Sequence, residues 1–206
     1  MRRALADEIK DLENKLFEVA EIVNKMFSNY QNYEEILKLE DIVNQTEMDI
    51  ELLGVKILAL YQPEAGDLRT IITAIKINND LERIADHIEN ISRDYYLMKD
   101  SPVVNLDELF KKVMLAYEKS INSYKNRDVN LAKEIIVCDK EINEIRNRLI
   151  VQIVNYIMEN PSKAEISLKT INIVQNLERI ADLSTNICED VIFLIEGKIS
   201  KHGKEI

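Results

Sequence analysis

Apolar side chains recur at three- and four-residue steps along almost the whole chain. From about 4 to 28 they fall at Leu5, Ile9, Leu12, Leu16, Val19, Val23 and Met26, the period of a helix with one buried face. Polar Asn29–Asn32 breaks that pattern. A second stretch, about 33–61, carries Ile36, Leu39, Val43, Ile50, Leu53, Ile57 and Leu60. Pro63 should end it, with Gly66 in the loop that follows. A third, about 67–98, carries Leu68, Ile71, Ile72, Ile75, Leu81, Ile84, Ile88 and Ile91, and Ser101-Pro102 closes the first half. The pattern then repeats at about 105–126, 129–158 and 163–196. Its breaks are Asn126-Arg127-Asp128 and Asn160-Pro161, with Gly197 as the expected C-terminal cap.

The repetition extends to the residues themselves. Leu81-Glu82-Arg83-Ile84-Ala85-Asp86 recurs as Leu177-Glu178-Arg179-Ile180-Ala181-Asp182, an offset of 96 residues. The same offset carries Asn90 onto Asn186, Ile91 onto Ile187 and Asp94 onto Asp190. Upstream, Glu40-x-x-Val43-Asn44 parallels Asp139-x-x-Ile142-Asn143. The chain therefore reads as an internal duplication, 1–100 and 101–206, each half three long helices joined by short turns. Such helices must pack antiparallel with their neighbours. The expected fold is all-α: two tandem, pseudo-symmetric three-helix bundles. One continuous coiled coil is excluded because the turn signals recur at matching places in both halves.

Composition narrows this further. Only four glycines and three prolines occur in 206 residues, too few for the turns of a sheet-rich fold. No apolar run is long enough to span a bilayer. Acidic residues follow the basic start where a signal peptide needs an apolar stretch, so the expected location is the cytoplasm. A formal charge of −10 and the lack of a Lys/Arg cluster argue against nucleic acid and anionic membranes as partners. Cys138 and Cys188 sit singly in helical patterns and are expected to be small core residues rather than ligands or a disulfide. Tyr30, Tyr33, Tyr95 and Tyr96 are expected as core or helix-end aromatics.

Candidate chemistry concentrates in the repeated block. Glu82 and Asp86 stand at i and i+4 on one helical face, as do Glu178 and Asp182. Continuing by four adds Asn90 and Asn186, then Asp94 and Asp190, so an oxygen-rich stripe is expected along each third helix. Aligned carboxylates suit hard or borderline cations. One Glu-x-x-x-Asp is ordinarily a solvated face, but here both acids recur while neighbours differ (His87 against Leu183, Glu89 against Thr185). Arg83 and Arg179 keep a second reading open, in which the stripes are structural salt-bridge networks. Catalytic signatures are missing: no Glu-x-x-His, phosphate loop, nucleophile elbow or Cys-x-x-Cys occurs. His87 and His202 lie in unlike contexts. An enzyme is not expected.

The blocks Asn79-Asp80-Leu81-Glu82-Arg83-Ile84-Ala85-Asp86…Asn90-Ile91 and Asn176-Leu177-Glu178-Arg179-Ile180-Ala181-Asp182…Asn186-Ile187 resemble the third-helix signature of PhoU proteins. Gln62-Pro63-x-x-x-Asp67-Leu68-Arg69 is similar to the loop and restart before that signature. The resemblance covers almost the whole chain, in order and with the duplication. It implies a homodimeric regulator at the cytoplasmic side of a phosphate ABC transporter, touching its ATPase subunit. It further implies coupling to a membrane sensor histidine kinase and repression of the phosphate-starvation response when phosphate is plentiful. The alternative it leaves is a metal-binding accessory module of another transporter, such as a sodium–phosphate symporter. Some PhoU proteins bind metal clusters through paired Glu/Asp-x-x-x-Asp motifs on the second and third helices, with Fe, Mn, Mg or Zn as the candidate ions here. The third-helix motif carries over onto Glu82/Asp86 and Glu178/Asp182. The second-helix motif carries over only as Glu40/Asn44 and Asp139/Asn143, so each site loses a formal negative charge, and a weaker or single-ion site is expected.

Overall fold

A computed structural model describes residues 2–98, 101–197, 200–201 and 204–205; His202 lies outside them. Six helices follow one another: α1 (Arg2–Asn29), α2 (Tyr33–Tyr61), α3 (Ala65–Met98), α4 (Asp107–Asn126), α5 (Val129–Glu159) and α6 (Ala164–Glu196). A short 3₁₀ turn at Pro161–Lys163 leads into α6. Beyond α6, Ser200–Lys201 pairs antiparallel with Lys204–Glu205, a two-residue ladder that helical periodicity does not foresee.

The helix ends follow local chemistry. Asn32 caps α2 by accepting from the Glu35 amide, and Asp128 caps α5 by accepting from Leu131, which satisfies donors that have no partner within the helix. The C-caps of α2, α4 and α6 are left-handed backbone at Gln62, Arg127 and Gly197, where φ is 45°, 55° and 69°. Gly66 corrects the sequence reading. It stands in the first turn of α3, not in the loop.

Each half folds into its own three-helix set, with α2 on α1 and α3, and α5 on α4 and α6. The most extensive helix contact, however, joins the halves: α3 lies along α6. The pairs Lys76–Asp190 and His87–Asn176 show the two running antiparallel, since one number rises as the other falls. Ile77, Leu81, Ile84 and Ile88 of α3 and Ile173, Leu177, Ile180 and Ile187 of α6 are fully buried. The apolar side chains of all six helices form one continuous core. α1 and α4 form a second antiparallel seam, held apart by rings: Phe17–Tyr124, Phe27–Tyr117 and Tyr30–Phe110, with centroids 5.8, 5.3 and 4.5 Å apart.

Fully buried Tyr117 spans that seam, its hydroxyl donating to the Ala20 carbonyl at 2.9 Å. Tyr117→Phe should therefore cost about 1 kcal/mol in denaturant unfolding. An unchanged midpoint would mean the hydroxyl does not tie the halves together. Nearby, Tyr124 donates to Glu13, which also pairs with Arg127. Tyr30, Tyr33, Tyr95 and Tyr96 are helix-end aromatics as expected, Tyr30 against Tyr95 and Tyr33 against Tyr96. Cys188 is buried, but Cys138 is exposed. It stands on the outer face of α5 between Val137, itself exposed, and Asp139, so helical context alone mis-assigned it to the core.

Gly54 lets α2 lie close against α3. A Cβ there would lie 2.7 Å from Ile75 Cδ1 and 2.9 Å from its Cγ1, closer than two carbon atoms pack. That approach helps bring the acidic faces of α2 and α3 together.

Candidate functional site

In the first half, α2 presents Glu40, Asn44 and Glu47 and α3 presents Asn78, Glu82 and Asp86, each set at helical spacing. Burial raises the Glu82 carboxyl, and the charges of Asp86, Glu47 and Glu40 raise it further. The two helices therefore share one negative field. Burial also raises Asp86, against the lowering pull of His87, with Glu89 adding to the rise. Glu47 rises through burial and neighbouring Glu51. Asn44 Nδ2 donates to Glu40 Oε1 at 2.5 Å, and Asn78 Nδ2 donates to the Glu47 carbonyl at 3.0 Å, stitching α3 to α2. Arg83, 3.7 Å from Asp80, works against these charges by lowering the Glu82 carboxyl.

The second half places Asp139 and Asn143 on α5 opposite Glu178 and Asp182 on α6. Asp139 is raised by burial and then by Glu178, while its bond from Asn143 Nδ2, 2.8 Å, works the other way. Arg146 reaches Glu178 at 3.5 Å, and Arg179 lies 3.9 Å from the same carboxylate. A cavity of about 400 Å³ opens beside this cluster, between the halves. Arg83 and His87 line it from α3, Asp139 and Lys140 from α5, and Asp182 and Asn186 from α6.

The structure thus groups Glu40 with Glu82 and Asp86, and Asp139 with Glu178, with Asp182 and Asn186 on the adjoining cavity wall. Asn90 is engaged within its own helix: Nδ2 donates to the Asp86 carbonyl, and Oδ1 accepts from Arg93. The stripe does not continue to Asp94 and Asp190, which are buried or nearly so where α3 meets α6. Steps of four overshoot a 3.6-residue turn, so by the third step the side chain has rotated about 120° from Glu82. Asp190 instead meets Lys76 of α3 at 2.7 Å.

The metal ions that the resemblance implies find an incomplete fit. Oxygen donors are present, and Asn44 Oδ1 and Asn78 Oδ1 are buried acceptors with no hydrogen-bond partner. Yet among the described residues no three His, Cys, Asp or Glu side chains gather closely enough to hold one ion. Both second-helix asparagines turn their amide nitrogen, not their oxygen, toward the paired carboxylate.

The sequence matches the PhoU domain twice, over residues 9–95 and 106–191. The chain belongs to the PhoU family. Among its PhoU relatives, the phosphate-specific transport system accessory protein PhoU homolog of Aquifex aeolicus is 33% identical, the match covering 96% of each chain. The homolog of Clostridium acetobutylicum is 30% identical over 90% of this chain and 86% of its own. The crystal structure of PhoU from Pseudomonas aeruginosa superposes with a TM-score of 0.90 at 27% identity, covering 93% of this chain and 99% of that one. A regulatory PhoU of the phosphate transport system from Streptococcus pneumoniae shares the fold at TM-score 0.87 and 23% identity.

Glu47, Asn78 and Arg146 escaped the sequence reading of this PhoU chain. The signal was available for two of them. The register that places Glu40 over Asp139 places Glu47 over Arg146, seven residues on. Asn78 falls over Val174, and nothing in helical periodicity marks it.

Proposed function

We propose that this chain is the accessory protein of a phosphate-specific transport system. It works from the cytoplasmic side, where it couples the transporter's ATPase subunit to a sensor kinase and represses the starvation response when phosphate is plentiful. The observation that carries this reading is end-to-end similarity: two PhoU domains fill the chain, and the relative matched over 96% of both lengths is named as an accessory protein of phosphate-specific transport. Two further features fit an adaptor. No described helix is long and apolar enough to cross a membrane. The long outer faces of α2 and α5 expose Leu52, Val55, Val151 and Val154, apolar surface of the kind that partner proteins cover.

Deletion of the gene should leave phosphate-starvation promoters active in phosphate-rich medium, by at least several-fold over the parent in a reporter strain. Restoring the gene should restore repression. Normal repression in the deletion strain would overturn the signalling role and favour an accessory module of another transporter.

A further inference from the structure

The register that lays Glu40 over Asp139 also matches the solvent faces of α2 and α5, which share an apolar ridge but not its charge. On α2, Met48, Leu52, Val55 and Ala59 follow one another at steps of four, three and four. At 100° per residue they point within about 30° of one direction. All four are exposed, Leu52 at 69% and Val55 at 55%. Their counterparts on α5 are Asn147, Val151, Val154 and Met158, exposed in the same way. Each outer helix thus carries an apolar ridge about two to three turns long, turned away from its own three-helix set.

The charges that frame the two ridges are opposite. Asp41 and Asp49 of α2 become Lys140 and Arg148 of α5, and Glu34 at the start of α2 becomes Lys133. All of these are exposed. α2 holds seven Asp/Glu against two Lys, while α5 holds five against four Lys/Arg. Both α2 lysines are engaged elsewhere, Lys38 by Glu35 and Lys56 by Glu8 of α1. Among the described residues, Asp41, Asp49 and Lys140 form no ion pair, and Arg148 holds only the exposed Glu108. Like charges would push two α2 faces apart. Within one chain α2 and α5 do not touch among the described residues, so the surface complementary to α2 is offered by a separate molecule.

We propose that the α2 ridge docks on the α5 ridge of a second copy of this chain, acidic rim against basic rim. Burial of the ridges supplies the attraction, and the rims decide which faces meet. Because every chain carries both faces, the contact either closes reciprocally into a dimer or continues head to tail. It depends on these two faces alone and not on the transport role.

Sedimentation equilibrium of the full chain and its charge-reversal variants tests the pairing. The wild type should associate reversibly, and more weakly as salt is raised. Asp41→Lys with Asp49→Lys should weaken association at least about tenfold, and so should Lys140→Glu with Arg148→Glu. Mixing the two variants should restore it, because each contact then joins a basic face to an acidic one. Recovery in the mixture also shows that both variants fold. Leu52→Gln should weaken association while leaving its salt dependence in place. A monomeric wild type, a mixture no stronger than its components, or a loss confined to the α2 variant would each overturn the proposal. The last is the outcome of an α2–α2 contact. A monomeric chain that still represses starvation genes would leave the transport reading standing, so the two fail separately.

Discussion

Replacing Asp80 with Asn should stabilise the protein by about 2–4 kcal/mol at pH 8, with the gain shrinking to nothing near pH 4. Asp80 is buried on α3, and burial together with the charge of Asp190 pushes its carboxyl up to about 7, against the opposing pull of Arg83 and Lys76. An unfolded aspartate titrates near 4. Because the folded value lies above the unfolded one, the ionised carboxylate opposes folding. The cost is absent below about pH 4, grows between about 4 and 7 as the folded group resists ionising, and is fully expressed above 7. Lys76 does not cancel it, because its ammonium is already bound to Asp190 at 2.7 Å. The second half shows that the fold accepts the change: the counterpart of Asp80 is Asn176, whose amide oxygen accepts from His87 Nδ1 at 2.8 Å. Urea unfolding at pH 5 and pH 8 measures the effect. A variant less stable than wild type at pH 8 would mean that Asp80 serves the seam as an ion.

Ile84→Ala should cost about 2–5 kcal/mol, the usual penalty for emptying a fully buried aliphatic site. Ile84 and its counterpart Ile180 are both fully buried, on the two helices that join the halves. The core is continuous across that seam, so the whole chain should unfold in one transition, displaced as a unit by either Ile84→Ala or Ile180→Ala. Circular dichroism and tyrosine fluorescence followed through the same urea series check this. A biphasic curve with only one leg displaced would show that the halves unfold separately.

How far the fold was legible follows from what each residue's position depends on. Helix existence and the main breaks depend on neighbours three and four residues away, and Asn32, Asp128 and Gly197 act at the ends where the sequence places them. Placement across helices was not legible. Lys76 and Asp190 are 114 residues apart, and no period in either helix says that they touch. The same limit misplaced Cys138, since an outer helix of a three-helix set carries apolar residues on more than one face. Of the candidate site, the repeated acids were plain because duplication preserved them. The divergence at Glu47 and Arg146 was written in the same register but had no repeated letter to draw the eye.

The pairing of α3 with α6 also bears on how the chain is made. α6 leaves the ribosome well after α3, and it supplies the partner surface for Ile77, Leu81, Ile84 and Ile88. At typical rates of synthesis the roughly hundred residues between them take on the order of 5–20 s to emerge. Throughout that interval the nascent first half carries an uncovered apolar face, a natural foothold for a chaperone.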